Sequence, residues 1–157
     1  PYSAFTNSCA PVMISSFKRG HMSLYKTRIY YKDTDAGGVV YYANYLRFFE
    51  AARTEFLRDL GVDLHKWIEQ GFFFVVAHTE VDHISPARYG DLLIVETECT
   101  SLSGARFDLS CRVSREEDHQ AIASGMTSMA CIGEKGKPVR IPQEIMKVLK
   151  TSKKEAW

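Results

Sequence analysis

Long apolar runs are missing from this chain. None approaches the roughly 20 residues that a bilayer-spanning helix needs. Net charge is missing as well: Lys plus Arg number 20 and Asp plus Glu 19, a formal charge of +1 at pH 7. No overall field steers such a chain onto nucleic acid or an anionic membrane. The four cysteines, Cys9, Cys99, Cys111 and Cys131, form no Cys-x-x-Cys pair, and no His follows any of them at finger spacing. That excludes the usual structural zinc site. A Gly-x-Ser-x-Gly elbow, a P-loop and a Gly-x-Gly-x-x-Gly turn are absent, which removes α/β-hydrolase chemistry and the common nucleotide-binding routes. His21, His65, His78, His83 and His119 include no His-x-x-x-His pair. His78 and His83 are five apart, so on a strand they face opposite sides and cannot chelate together.

What is present is a globular composition, 45% apolar and 25% charged, over 157 residues. That length is one ordinary domain. Residues 1–21 lack the basic and apolar regions of a secretory leader, and Gly20-His21-Met22 reads as a cloning scar before a natural Met. The segment is therefore set apart as vector-derived or foreign to the domain, with 22–157 as the domain. Cys99, Cys111 and Cys131 fall in apolar, strand-like stretches and read as small buried thiols. A reducing cytoplasm is the expected compartment.

Hydrophobic periodicity gives the order of elements. Tyr25 to Tyr31 reads as a short strand. From about Tyr41 to Leu60 the apolar positions Tyr45, Phe48, Phe49, Ala52, Phe56 and Leu60 recur at helical spacing, and Gly61 follows as a left-handed stop. Asp63 to Gln70 fits a further short helix. Four runs with period two come next. Phe73, Val75, Ala77, Thr79 and Val81 alternate with a row ending in His78, Glu80 and Asp82. Leu93, Val95, Thr97 and Cys99 form one face of the following strand, and Phe107, Leu109, Cys111 and Val113 one face of the next. Gln120 to Ile132 is the last strand, and Pro142 to Lys150 a terminal helix. Long alternating runs with short turns predict an antiparallel meander. One amphipathic helix covers one face of such a sheet, an α+β two-layer unit. Strict alternation puts Phe72, Phe74 and Val76 on the uncovered face, which calls for a second subunit.

The segment Asp33-Thr34-Asp35-Ala36-Gly37-Gly38-Val39-Val40-Tyr41 places two carboxylates and two glycines just ahead of the long helix. A helix amino end carries free N–H groups and a partial positive charge, which suit a developing oxyanion. A carboxylate beside it can attack a carbonyl or activate water. Gly37 and Gly38 let the backbone approach a ligand closely. The same residues are also ordinary turn and loop formers.

This segment, with Asn44-Tyr45, Phe49-Glu50-Ala51-Ala52-Arg53-Thr54-Glu55 and the weaker Ser85-Pro86-Ala87-Arg88-Tyr89-Gly90-Asp91, resembles the hotdog-fold acyl-CoA thioesterases of the 4-hydroxybenzoyl-CoA thioesterase type, in particular their Tol-Pal-associated subgroup. The likeness runs from about Tyr25 to Pro142. It implies a hotdog fold of about five antiparallel strands wrapped around one long helix. It implies hydrolysis of acyl-CoA to free acid and coenzyme A with no metal and no cofactor, coenzyme A being part of the substrate. By position, Asp35 is the catalytic carboxylate, as nucleophile or base, and the backbone N–H of Tyr42 polarises the carbonyl. Many relatives carry His at that position, and this chain departs from them with Tyr. Gly37, Gly38, Val39, Asn44 and Tyr45 stand as substrate contacts; Asn44 equally reads as a helix cap and Tyr45 as core. The turn Leu102-Ser103-Gly104-Ala105-Arg106 offers Arg106 to the coenzyme A phosphates. The resemblance further implies a homodimer or homotetramer with the site between subunits, and no membrane insertion. Acyl-carrier-protein thioesterase activity and a non-catalytic acyl-binding scaffold of an envelope complex are the competing expectations.

Overall fold

Alternating rows need a partner surface, and in the computed structural model, which describes residues 20–153, the long helix supplies it. Strand β1 spans Met22–Arg28, followed by a 3₁₀ turn at Tyr31–Asp33. Helix α1 (Asn44–Asp59) and helix α2 (Leu64–Glu69) lead to β2 (Phe73–His83), β3 (Leu92–Leu102), β4 (Arg106–Arg115) and β5 (Ala121–Ile132). Helix α3 (Gln143–Ser152) closes the described chain. The five strands form one sheet in the order β1-β3-β4-β5-β2, antiparallel throughout. This is the expected hotdog arrangement, with α1 held against one face, but the four alternating runs do not form a simple meander: only β3-β4-β5 do, and β2 pairs with β5 at the far edge while β1 takes the place beside β3. The segments expected at 1–19, including Cys9, lie outside the described residues. His21, assigned above to the scar, belongs to the folded part, its ring 6.0 Å from that of Phe56.

The helix stripe and the strand rows bury as their spacing predicts. Phe49, Ala52 and Phe56 of α1 are at most 1% exposed, as are Leu93, Val95, Thr97 and Cys99 of β3. Each large apolar side chain buried this way contributes about 1.5–3 kcal/mol. Gly61 takes φ +78° and ends α1 as expected. Asp63 caps α2 through hydrogen bonds from the N–H groups of His65 and Lys66 to its side chain. Cys99, Cys111 and Cys131 are free buried thiols, and burial pushes the Cys99 thiol up to about 11. Gly125 marks the closest approach of helix and sheet. A Cβ there would lie 2.4 Å from the Glu80 carbonyl oxygen and 2.5 Å from the Phe49 ring, so no larger residue fits without moving α1.

Strand β2 corrects the expectation about the uncovered face. Its pairing with β5 slips between Val76 and His78, leaving Ala77 as the extra residue of a bulge. One inserted residue reverses which face every earlier side chain points to. Phe74 and Val76 therefore join Thr79 and Val81 on the helix side. The Phe74 ring packs 5.6 Å from Phe107, and Phe72 packs edge-on against Trp67 at 5.8 Å. The opposite face is polar at its centre, where Arg112 pairs with Glu96 at 3.1 Å and with Glu98 at 3.6 Å. An apolar sheet face thus does not supply the argument for a second subunit. At the edge, β2 is an eleven-residue outer strand carrying Val75 and Val76, 38% and 45% exposed. Long apolar edges are templates for pairing with another chain.

Candidate active site

Two aspartates two residues apart sit on one short loop, and the loop's hydrogen bonds give them different work. Thr34 and Val40 pair as an antiparallel bridge that pinches residues 35–39 into a tight turn. The Asp35 N–H donates to the Val39 carbonyl at 3.0 Å and the Gly38 N–H to the Asp35 carbonyl at 3.0 Å. Gly38 takes φ +73°, a left-handed conformation that suits glycine. Asp33 is 5% exposed, and its carboxylate accepts the Tyr30 N–H at 2.9 Å. Its carbonyl accepts the Tyr41 N–H at 2.9 Å and the Asn44 side-chain amide at 2.8 Å. Asp33 therefore builds the loop. Asp35 is exposed; its Oδ1 accepts the Gly37 N–H at 2.8 Å, and no group among the described residues is bonded to Oδ2.

Asn44 is the first residue of α1 and donates to the Asp33 carbonyl instead of capping the helix; Ala43 occupies the cap position with no side-chain hydrogen bond. The amino end of α1 is thus tied to the aspartate loop, and of the N–H groups there those of Asn44 and Leu46 are taken by the Tyr41 and Ala43 carbonyls at 2.9 and 3.2 Å. Among the described residues the Tyr42 N–H donates to no acceptor. The Tyr42 side chain is 64% exposed, with its ring 4.7 Å from that of Tyr41. The neighbouring Tyr42 side chain, foremost, pushes the Tyr41 phenol up.

The loop faces a second segment. Val40 N–H donates to the Ala87 carbonyl at 2.8 Å, which docks the turn on the stretch after β2. Between them is a cleft of about 360 Å³ lined by Asp35, Val39, Tyr42, Tyr45, His83 and Pro86, among others. Tyr45 is both wall and core, 3% exposed, and burial is the main cause that pushes its phenol up. The structure therefore brings Asp35, Val39, Tyr42 and Tyr45 together, with Gly37 and Gly38 in the supporting turn. Arg106 is not among them. It begins β4, and β3, eleven residues or roughly 36 Å of strand, runs between that turn and the cleft end of the sheet. The sequence assigns no role to His83 or Ile84, although both directly precede the Ser85–Asp91 motif, whose first two residues also line the cleft. Among the described residues no three His, Cys, Asp or Glu side chains group as metal ligands would, and no helix is long and apolar enough to cross a membrane.

Gly37 is the residue whose N–H meets the Asp35 side chain. A Cβ at this position would lie 3.0 Å from Asp35 Oδ1, tighter than ordinary contact. Gly37→Ala is expected to push the carboxylate aside by a few tenths of an ångström. Turnover should fall about 10-fold, since small misplacements of reacting groups are costly. Its φ is not in the left-handed region, so the melting temperature should not drop. Steady-state kinetics beside a melting curve check both.

The Thioesterase-like superfamily matches residues 30–149. The chain is 42% identical over 123 residues to an acyl-CoA thioesterase, YbgC, of Haemophilus influenzae, covering 77% of this chain and 89% of that protein. Among solved structures it is similar to a probable thioesterase from Bartonella henselae, at 39% identity and TM-score 0.68, over 77% of this chain and 98% of that one. It is also similar to a 1,4-dihydroxy-2-naphthoyl-CoA thioesterase from Synechocystis, at 28% identity and TM-score 0.77, over 82% and 96%. Sequence match and fold agree over most of the described residues: this chain is an enzyme of the Thioesterase-like superfamily.

Proposed function

We propose that the protein hydrolyses acyl-CoA thioesters to the free acid and coenzyme A without a metal, using Asp35 and the Tyr42 N–H. The observation that carries this reading is the pairing of an unengaged carboxylate oxygen with an unengaged N–H at one cleft. The substrate class rests on the likeness to acyl-CoA thioesterases. The carbonyl oxygen of the thioester takes the N–H, so negative charge grows where a donor and the helix dipole already point. Asp35 attacks the carbonyl carbon or draws the proton from a water that does, the C–S bond breaks, coenzyme A leaves as thiolate, and one water supplies the oxygen of the free acid. Val39 lines the wall along which the acyl group passes, with Gly37 and Gly38 in the turn behind it, and three free buried cysteines suit a reducing cytoplasm. Purified protein mixed with short, long and aromatic acyl-CoAs should release thiol, read with a thiol-reactive chromophore. No release from any of them would overturn the assignment.

The working unit in this proposal is at least a dimer. The exposed edge of β2 supports it, and so does the distance of Arg106 from the cleft of its own chain. For Arg106 to reach the phosphates of a substrate held at Asp35, a second protomer must bring it there. Light scattering at micromolar concentration should give a multiple of the single-chain mass, and the single-chain mass would contradict the shared site.

A further inference from the structure

We propose that His83 is a second catalytic residue, the base that takes the proton from the hydrolytic water. The inference rests on the thioesterase reading above and adds a residue to it. His83 ends β2 on the helix-side row after Thr79 and Val81, a placement secured by its register with Ala123. The next two residues are pinned, since the N–H groups of Ile84 and Ser85 both donate to the Ile122 carbonyl, at 2.9 and 3.1 Å. Its ring stands edge-on to Tyr45 with centroids 5.2 Å apart, at the wall of the cleft that Asp35 and Tyr42 also line. Among the described residues neither ring nitrogen has a hydrogen-bond partner or ion pair, whereas His78 on the other face lies 3.9 Å from Glu80. A fixed backbone, a ring steered by an aromatic neighbour and unengaged nitrogens at the cleft are what proton transfer needs. His83 is the one imidazole among the residues that line the cleft.

The division of labour follows. An Asp35 oxygen attacks the thioester carbon, and the C–S bond breaks with its electron pair on the coenzyme A sulfur. The acyl group is then an anhydride with Asp35. Water adds to the acyl carbon while an unprotonated nitrogen of His83 takes its proton. The bond from the acyl carbon to Asp35 breaks, the free acid leaves, and the carboxylate is restored. The imidazolium passes its proton to the thiolate or to solvent. Attack by Asp35 needs no base, since a carboxylate carries no proton to lose, whereas attack by water does.

Rapid mixing of enzyme with an acyl-CoA distinguishes the two stages. His83→Gln should release one equivalent of coenzyme A thiol per active site in a burst, then turn over about 10²-fold more slowly than wild type. Imidazole added to His83→Ala should accelerate the slow phase, a rescue that a purely structural role would not show. Wild-type turnover in His83→Gln, or slow turnover with no burst, would overturn the inference while leaving the thioesterase assignment standing. Failure of the wild type to release thiol at all would instead defeat that assignment and this inference with it.

Discussion

Asp35→Asn should lose at least about 10²-fold in turnover while keeping the fold. The amide is nearly the same shape, and its Oδ1 can still accept the Gly37 N–H that holds the wild-type carboxylate at 2.8 Å. What it lacks is a negatively charged oxygen in place of Oδ2, so it is a poor nucleophile and a poor base. Asp33→Asn is the control. The Asp33 carboxylate is buried and already accepts the Tyr30 N–H, so that variant should register in the melting temperature before it registers in chemistry. Calorimetry and thiol release on both variants give a crossed pattern. Near-wild-type turnover in Asp35→Asn would remove the carboxylate from the mechanism.

The second large effect separates backbone from side chain at Tyr42. Tyr42→Phe deletes only a hydroxyl, on an exposed ring beside Tyr41, and should change kcat only modestly. Tyr42→Pro deletes the N–H. That N–H makes no hydrogen bond among the described residues, so its loss breaks none within the protein. Proline just ahead of a helix is tolerated because the donors there are unpaired anyway. Removing one oxyanion donor costs roughly 10²–10³ in kcat, about 3–4 kcal/mol. The expected ranking is wild type, Phe slightly below, and Pro far below, with similar melting temperatures. Phe as damaging as Pro would mean that the hydroxyl does the chemistry.

Much of this molecule was legible in one dimension. The helical spacing from Tyr45 to Leu60 needs a face to bury against, and rows such as Leu93, Val95, Thr97 and Cys99 supply one. These periodicities are local properties of the chain and do not depend on what it meets later. Gly61 as helix stop and the motif from Asp33 to Tyr41 were equally readable, since each is a short stretch with its own signature.

The rest depended on which segments meet. The Ala77 bulge turns Phe74 and Val76 toward the helix, and nothing in the alternation of β2 announces it, because the slip is defined by pairing with β5. Asp33 and Asp35 are the same residue type two positions apart. Only the folded loop shows that the first is engaged by the Tyr30 N–H while the second keeps an unengaged oxygen at the cleft. His83 and Asp35 line one cleft because the stretch after β2 docks on the aspartate loop through Val40 and Ala87, far apart in the chain. Arg106 sits a strand's length from the cleft for the same kind of reason. Sequence fixes what each residue can do and which way its element buries. Long-range pairing decides which residues share a site, because a hydrogen bond or a cleft wall forms between neighbours in space.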